Sequence, residues 1–494
     1  TRTRAGKVLP RATRDLAPGM SRVHSFITSK LDPVDVDYDF SVDAWLQKTS
    51  FSFTKKCEIT EAYIDRKIDV ELEPDKKDPN VFNMKIFPKD ECYPAFKAER
   101  TIFFPSVLVN ALVAPYIKAC EEKVYDLEYF IKHVPFKERA KFVADKFGHV
   151  VGKAMATDFS SWECHMSPEV LNMTVVPLIR YLLGGRAPPS VIELICRLLT
   201  NPRHVKCVYF GAEILILASG ECWTAFVTAL VNLYFQLLII SELIGISFQQ
   251  VLLILEGDDV LAIVPHEIMI TEADYASYGL KATMEVFDSV EEASFCGMVF
   301  DMESMEVLTD PIAAVAKFGW VDKAYMSSKK SKKFALMRCK ALSYMVQYPA
   351  CPIVSELCRQ VLKITRGVDV LGYINSRHVD SYRREIYLRC LLEYETGQQK
   401  EVTHGSRLLV EKKWKIPYST QLICEEQIRN WGLFCDSRHL RDRKMVPLYL
   451  PLLVDLCPDE WKDYWDMYVI PYANVGDIYR VFLNVTVDLD TVRA

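Results

Sequence analysis

Three short stretches of this 494-residue chain carry side chains whose types and spacing can do chemistry. The first is Glu256-Gly257-Asp258-Asp259, set between two apolar runs, Val251–Leu255 and Val260–Val264. Apolar runs around a tight polar turn signal a β-hairpin whose strands are buried. Adjacent carboxylates at such a turn repel each other and resist desolvation, so each stays protonated unless a cation compensates. Magnesium or manganese, which favour hard oxygen ligands, would be the simplest compensation. A plain Asp-Asp turn on a solvated loop would need none. The second stretch is Thr157-Asp158-Phe159-Ser160-Ser161-Trp162-Glu163, where Asp158 closes an apolar-leaning segment. From there its carboxylate can reach the hairpin tip from a neighbouring strand, or can simply make an Asx-turn or cap a helix. Three carboxylates from two strands can hold two metals about 4 Å apart, which activates a hydroxyl nucleophile and steadies a phosphate leaving group. The third stretch, Ser219-Gly220-Glu221-Cys222-Trp223-Thr224, opens a long apolar segment and lies between the other two in the chain. Ser-Gly before a helix is ordinarily an N-cap.

The elements that must position these groups are partly legible. The segment Val150–Thr157 reads as a core strand. Ser167-Pro168-Glu169 offers an N-cap, a first-turn proline and an early acid, so a helix starts there. A second helix is expected from about Glu221 to Leu243, apolar on every face. Its longest apolar run, Phe226–Ile240, includes Thr228, Asn232 and Gln236 and is shorter than the ~20 residues of a membrane span, so a buried helix is expected. Glu272–Phe287 reads as a helix interrupted near Gly279, and Ala293–Asp301 as a further strand pair. The order of elements fits an α+β class, an antiparallel sheet backed by helices.

In order along the chain, Asp158 with its neighbours, Ser219-Gly220 with Thr224, and Gly257-Asp258-Asp259 resemble motifs A, B and C of viral RNA-dependent RNA polymerases. The spacing between them is similar too. Lys97-Ala-Glu-Arg100 looks like motif F, Gly279-Leu-Lys281 like motif D and Ser294-Phe295-Cys296-Gly297 like motif E. The flavour is closest to positive-strand RNA viruses. The resemblance implies Asp158 and Asp258 as main metal ligands with Asp259 beside them, magnesium as the ion and manganese as a substitute. It implies Lys97 and Arg100 over the triphosphate, Ser219, Gly220 and Thr224 around the nucleotide, Lys281 as general acid, and Phe295 and Cys296 near the primer end of the RNA. Two positions depart from the family. Glu163 stands where a second Asp usually reads the ribose, and Thr228 where an Asn is usual, with Asn232 a turn later. Glu163 and Thr228 are therefore expected to select the ribose jointly.

Composition agrees with a folded protein and names no task. Half the residues are hydrophobic and a quarter charged, with 19 Gly and 24 Pro, which excludes a mainly disordered or collagen-like chain. The formal charge of −5 means that any basic surface is local. The clearest basic run holds Lys317, Lys323, Lys329, Lys330, Lys332, Lys333, Arg338 and Lys340 against Asp322 alone. It is expected to track RNA phosphates, with Lys329, Lys330, Lys332 and Lys333 foremost, although such runs are often only solvated faces. Residues 1–14, basic and without an acid before Asp15, read as a solvated arm. Trp414, Trp431, Trp461 and Trp465 are expected mainly in core packing. The 15 cysteines contain no CxxC pair, which argues against a disulfide framework or a zinc site and for free thiols in a reducing compartment.

The resemblance also implies a right hand of fingers, palm and thumb. The N-terminal arm and fingers would take 1–150, the palm 151–170, a fingers insertion 171–216, the palm again 217–305, and the thumb and C-terminal region 306–494. The implied activity is replication of a viral RNA genome from NTPs, with template and nascent RNA as partners and other viral replication proteins beside it. The implied location is the host cell cytoplasm, in membrane-associated complexes reached through partners. Two rivals stay open: a reverse transcriptase, and a palm-derived RNA-binding protein without activity.

Overall fold

The computed structural model describes residues 9–72, 81–88, 101–206, 211–214, 217–218, 220–318, 320–322, 329–376, 379, 381–396, 400–430 and 478–480. The chain divides into two compact units. One is drawn from Thr1–Asp90, Ala98–Val134 and His149–Cys296, the other from Glu91–Lys97, Pro135–Gly148 and Gly297–Ala494. Helices and small sheets mix in an α+β arrangement.

The first unit holds two four-stranded sheets. Strands β1 (Asn83–Pro88), β2 (Thr101–Pro105), β4 (Arg203–Lys206) and β5 (Gly211–Ile214) run in the order β2-β1-β4-β5, with β1 and β4 parallel and the other pairs antiparallel. The other sheet is wholly antiparallel, in the order β6-β7-β3-β8, from β3 (Lys153–Phe159), β6 (Leu252–Glu256), β7 (Asp259–Val264) and β8 (Ala282–Phe287). β6 and β7 form the expected hairpin. Glu256 pairs with Asp259 across a two-residue turn whose first residue, Gly257, sits at φ +63°, a conformation that glycine takes without steric cost. β3 lies between β7 and β8, with Thr157 opposite Val260 on one side and Met284 on the other.

Behind this sheet runs the long helix of the first unit. Labelling α1 as Ala17–Thr28, α2 as Val107–Tyr125 and α3 as Thr224–Ile244, α3 is buried along nearly its whole length and ends at Gly245, φ +74°. α3 alone among the described residues is long and apolar enough to cross a membrane, and 83% of its most apolar stretch is buried inside the protein. A helix apolar all round is at home in a large core as well as in a bilayer.

Beyond α3, the stretch read as one interrupted helix is instead a short helix, α4 (Glu272–Ser277), followed by strand β8. α4 starts on a capping box between Thr271 and Asp274, and the chain leaves it through Gly279 at φ +84°. The Thr-Met-Glu-Val segment then finds a free edge of β3, and the ladder outweighs its helical pattern. Of the strand pair expected within 293–301, one strand falls there among the described residues, β9 (Val299–Asp301), and its antiparallel partner β10 (Glu306–Leu308) follows it in the chain. The basic arm also departs from the expectation, since its described end is docked. Thr13 N–H donates to the Ser277 carbonyl (2.9 Å), Arg14 Nε to Ser277 Oγ (3.1 Å), and the Arg14 guanidinium lies 4.7 Å over the Tyr278 ring.

The second unit is mostly helical and has its own core. Its described helices include α5 (Lys330–Gln347), α6 (Val354–Ile364), α7 (His404–Trp414) and α8 (Tyr418–Asn430). Arg407 forks onto both oxygens of Glu425 (3.0 and 2.8 Å), and Glu425 also accepts the Ile353 N–H at 3.0 Å. That bond helps hold Ile353 at φ +65°, which a β-branched residue otherwise avoids. The described cysteines are free thiols, most of them buried. Trp414 packs against this core; the other three tryptophans of the expected group lie outside the described residues.

Candidate active site

Asp158 is the last residue but one of β3, and its register partner on β8 is Thr283. One step earlier on β3, Thr157 faces Val260, the residue after Asp259. The pleat and pairing therefore bring Asp158 beside the hairpin that carries Asp258 and Asp259. Electrostatics reflect that proximity. Burial raises Asp258 to about 6, and the charges of Asp259, Asp158 and Glu163 push the same way. Asp259 is raised as well, by burial first and then by Asp158 and Glu256, while a hydrogen bond from Cys296 works against the rise.

The hairpin tip is anchored from behind. Asn232, fully buried in α3, donates from Nδ2 to the Gly257 carbonyl (3.0 Å). Gln236 Nε2 donates to Asn232 Oδ1 (3.3 Å), and Tyr275 of α4 donates its hydroxyl to Gln236 Oε1 (2.6 Å). The tip of β6 is held by one more bond, from Leu255 N–H to the Tyr129 carbonyl (2.8 Å). Asn232, grouped by the resemblance with the nucleotide-binding residues, here holds the hairpin turn. One amide N–H and the amide oxygen of Asn232 are thus committed inside the core.

The Ser219-Gly220 turn is built to a tight specification. Thr224 Oγ1 donates to the Ala218 carbonyl (2.8 Å) and accepts the Glu221 N–H (3.1 Å), closing the turn ahead of α3. Gly220 sits at φ +115°, and a Cβ there would stand 2.5 Å from the Phe103 carbonyl of β2, so no side chain is tolerated. Ser219 itself lies outside the described residues. Immediately after the turn, Glu221 is paired with Arg203 of β4 at 2.7 Å, both side chains almost fully buried. Sequence reasoning missed this pair, because an isolated Arg and a Glu 18 residues on carry no local signal.

Glu163 and Thr228 are linked through Trp162. The Trp162 indole N–H donates to the Thr228 carbonyl (3.1 Å), and the Thr228 hydroxyl turns back to the Ala225 carbonyl (3.1 Å). The hydroxyl keeps acceptor capacity. Lys281 is exposed at the start of β8, and Cys296 is exposed next to Asp259. Phe295, expected near RNA, is instead buried at 1% exposure, so of that pair only Cys296 is open.

The basic run is not one surface. Lys329 is exposed, but Arg338 donates to the Leu362 and Thr365 carbonyls (2.9 and 3.3 Å) at the end of α6. Lys340 donates to the Phe318 carbonyl (3.0 Å), and burial lowers it to about 8. These two cations serve their own unit, because orphan helix-end carbonyls and a buried carbonyl are their nearest acceptors. Lys332 is half-buried, and the side chains of Lys330 and Lys333 lie outside the described residues, as do Lys97 and Arg100.

Among the described residues, no group of three or more His, Cys, Asp or Glu is gathered tightly enough to hold a metal as it stands. The donor set nevertheless suits a hard divalent cation. It consists of carboxylates alone, and the charge of Asp158 raises the proton affinity of Asp258 and Asp259. No protein-family model matches the chain, and no curated protein sequence matches it.

Proposed function

We propose that this chain is a template-directed RNA polymerase of the positive-strand viral kind, with the β6-β7-β3-β8 sheet as its palm and a right-hand arrangement around it. The observation that carries this reading is the antiparallel sheet in which the Asp158 strand lies against the Asp258-Asp259 hairpin, so that three carboxylates share one field. Bound magnesium ions on Asp158 and Asp258, with Asp259 beside them, would activate a 3′-hydroxyl for attack on an NTP α-phosphate and relieve charge on the leaving pyrophosphate.

The protein's own groups do the rest. Asn232 fixes the hairpin turn, and Thr224 with Gly220 fixes the turn before α3. Lys281, at the start of β8, delivers a proton to the departing pyrophosphate. Glu163 and Thr228, tied through Trp162, read the ribose.

Extension of a primed RNA template with magnesium and four NTPs tests the reading directly. The wild-type chain should extend the primer, and Asp258→Ala should reduce extension at least about a thousandfold. Equal signals from the two proteins would mean a contaminating enzyme, and preference for dNTPs would favour a reverse transcriptase. In the same assay, Glu163→Ala and Thr228→Ala should each raise dNTP use relative to NTP about tenfold. No change in that ratio with either variant would remove them from ribose selection.

A further inference from the structure

The strand ladder between β3 and β8 ends at the pair Phe159 and Ala282, yet the two segments remain joined beyond it. Ser160 N–H donates to the Lys281 carbonyl at 3.1 Å, and Lys281 N–H donates to His165 Nε2 at 3.0 Å. Both backbone polar groups of Lys281 are therefore held by the segment that follows Asp158, while the lysine side chain stays exposed.

His165 closes the 3-10 turn Trp162–His165 and is 4% exposed. Its ring lies 5.2 Å from that of Trp162 and 6.2 Å from that of Phe159. Nδ1 stands 3.3 Å from the Trp162 carbonyl, and only an N–H can face a carbonyl there. The hydrogen is thereby assigned to Nδ1, which leaves Nε2 bare to accept from Lys281. Burial lowers the imidazole to about 4, so the acceptor persists at neutral pH.

We propose that His165 is a positioning residue, which locks the backbone of Lys281 onto the Asp158 segment so that the lysine and the metal carboxylates share one rigid frame. The proposal rests on the polymerase reading of Lys281 as the proton donor. A lysine reaches its target on a four-carbon stem, so its reach is set by where its backbone is held. Misplacement by about 1 Å can cost a reaction up to about a hundredfold.

Two variants of the full chain separate this role from packing. His165→Phe keeps an aromatic ring and deletes the acceptor, whereas His165→Gln keeps a carbonyl oxygen at similar reach. In single-nucleotide extension, Phe should lower kcat about tenfold with the NTP KM within about twofold, and Gln should recover kcat to within about threefold of wild type. In a Lys281→Leu background the Phe substitution should change kcat less than about twofold, since the group it positions is gone. An undiminished effect in that background, or Phe and Gln variants that behave alike, would overturn the proposal. A second arm needs no variant: 15N spectra of histidine-labelled wild-type protein should show one imidazole protonated at Nδ1 and bare at Nε2 from pH 8 down to about pH 5. Absence of that tautomer would refute the contact itself, independently of any activity. That tautomer in a wild-type chain unable to extend RNA would instead leave the contact standing and overturn the polymerase reading, and with it the role assigned to His165.

Discussion

Asp258 keeps its proton well above the usual carboxylate range because burial and three neighbouring carboxylates oppose its charge together. Its folded value, about 6, exceeds the roughly 3.9 expected of an unfolded chain, so the folded state binds the proton more tightly. The contribution of this group to stability is therefore fully present below about pH 4 and is lost as pH rises through about 6. Asp258→Asn removes the dependence. Without metal, the variant should melt above wild type at pH 7.5, and the gap should close as pH falls toward 4; thermal melts across that range measure it. Magnesium should raise the wild-type melting temperature at pH 7.5 and leave the variant nearly unmoved, because only the wild type retains the ligand. A gap that ignores pH would mean that Asp258 is solvated and unperturbed.

At the scale of elements, the hairpin turn hangs on a polar chain, Asn232 to Gln236 to Tyr275, set inside an apolar core. Asn232→Leu would leave the Gly257 carbonyl unpaired at a cost of about 1–3 kcal/mol and free the turn to shift. Extension should fall about tenfold or more while the circular dichroism spectrum remains that of wild type. Retention of full activity would show that the turn holds itself. The hairpin and the strand ending at Asp158 were legible in the sequence, because apolar runs around Gly-Asp are a local pattern. The role of Asn232 was not, since the bond it makes joins residues 25 positions apart. Strand β8 was misread for the same reason: its helical pattern is local, whereas the β3 edge that captures it comes from more than a hundred residues earlier.

At the scale of the whole molecule, each unit is built around its own buried core, and α3 is the spine of the first. Leu237, in the middle of α3, is fully buried. Truncation to Ala should lower stability by about 2–5 kcal/mol, measured by urea unfolding of the chain in detergent-free buffer. A leucine facing lipid would give no such loss in that buffer, so a near-zero change would argue against α3 as a core helix. The basic run shows the opposite lesson about surfaces. Arg338 and Lys340 turn inward onto backbone carbonyls, so a row of cations in sequence does not become a row of cations in space.

The sequence by itself determined the carboxylate pair at the hairpin, the strand that brings Asp158 and the long apolar helix α3. Each depends on residue type and short-range pattern, through turn sterics, alternating burial and the cost of desolvating charge. Tertiary structure alone decided that β3 lies between β7 and β8, and that Asn232 holds the hairpin turn. It also decided that His165 meets Lys281, that Arg203 meets Glu221, and that Phe295 is buried. These are contacts between residues far apart in the chain, and they form only where closing the loop is repaid by packing and paired polar groups.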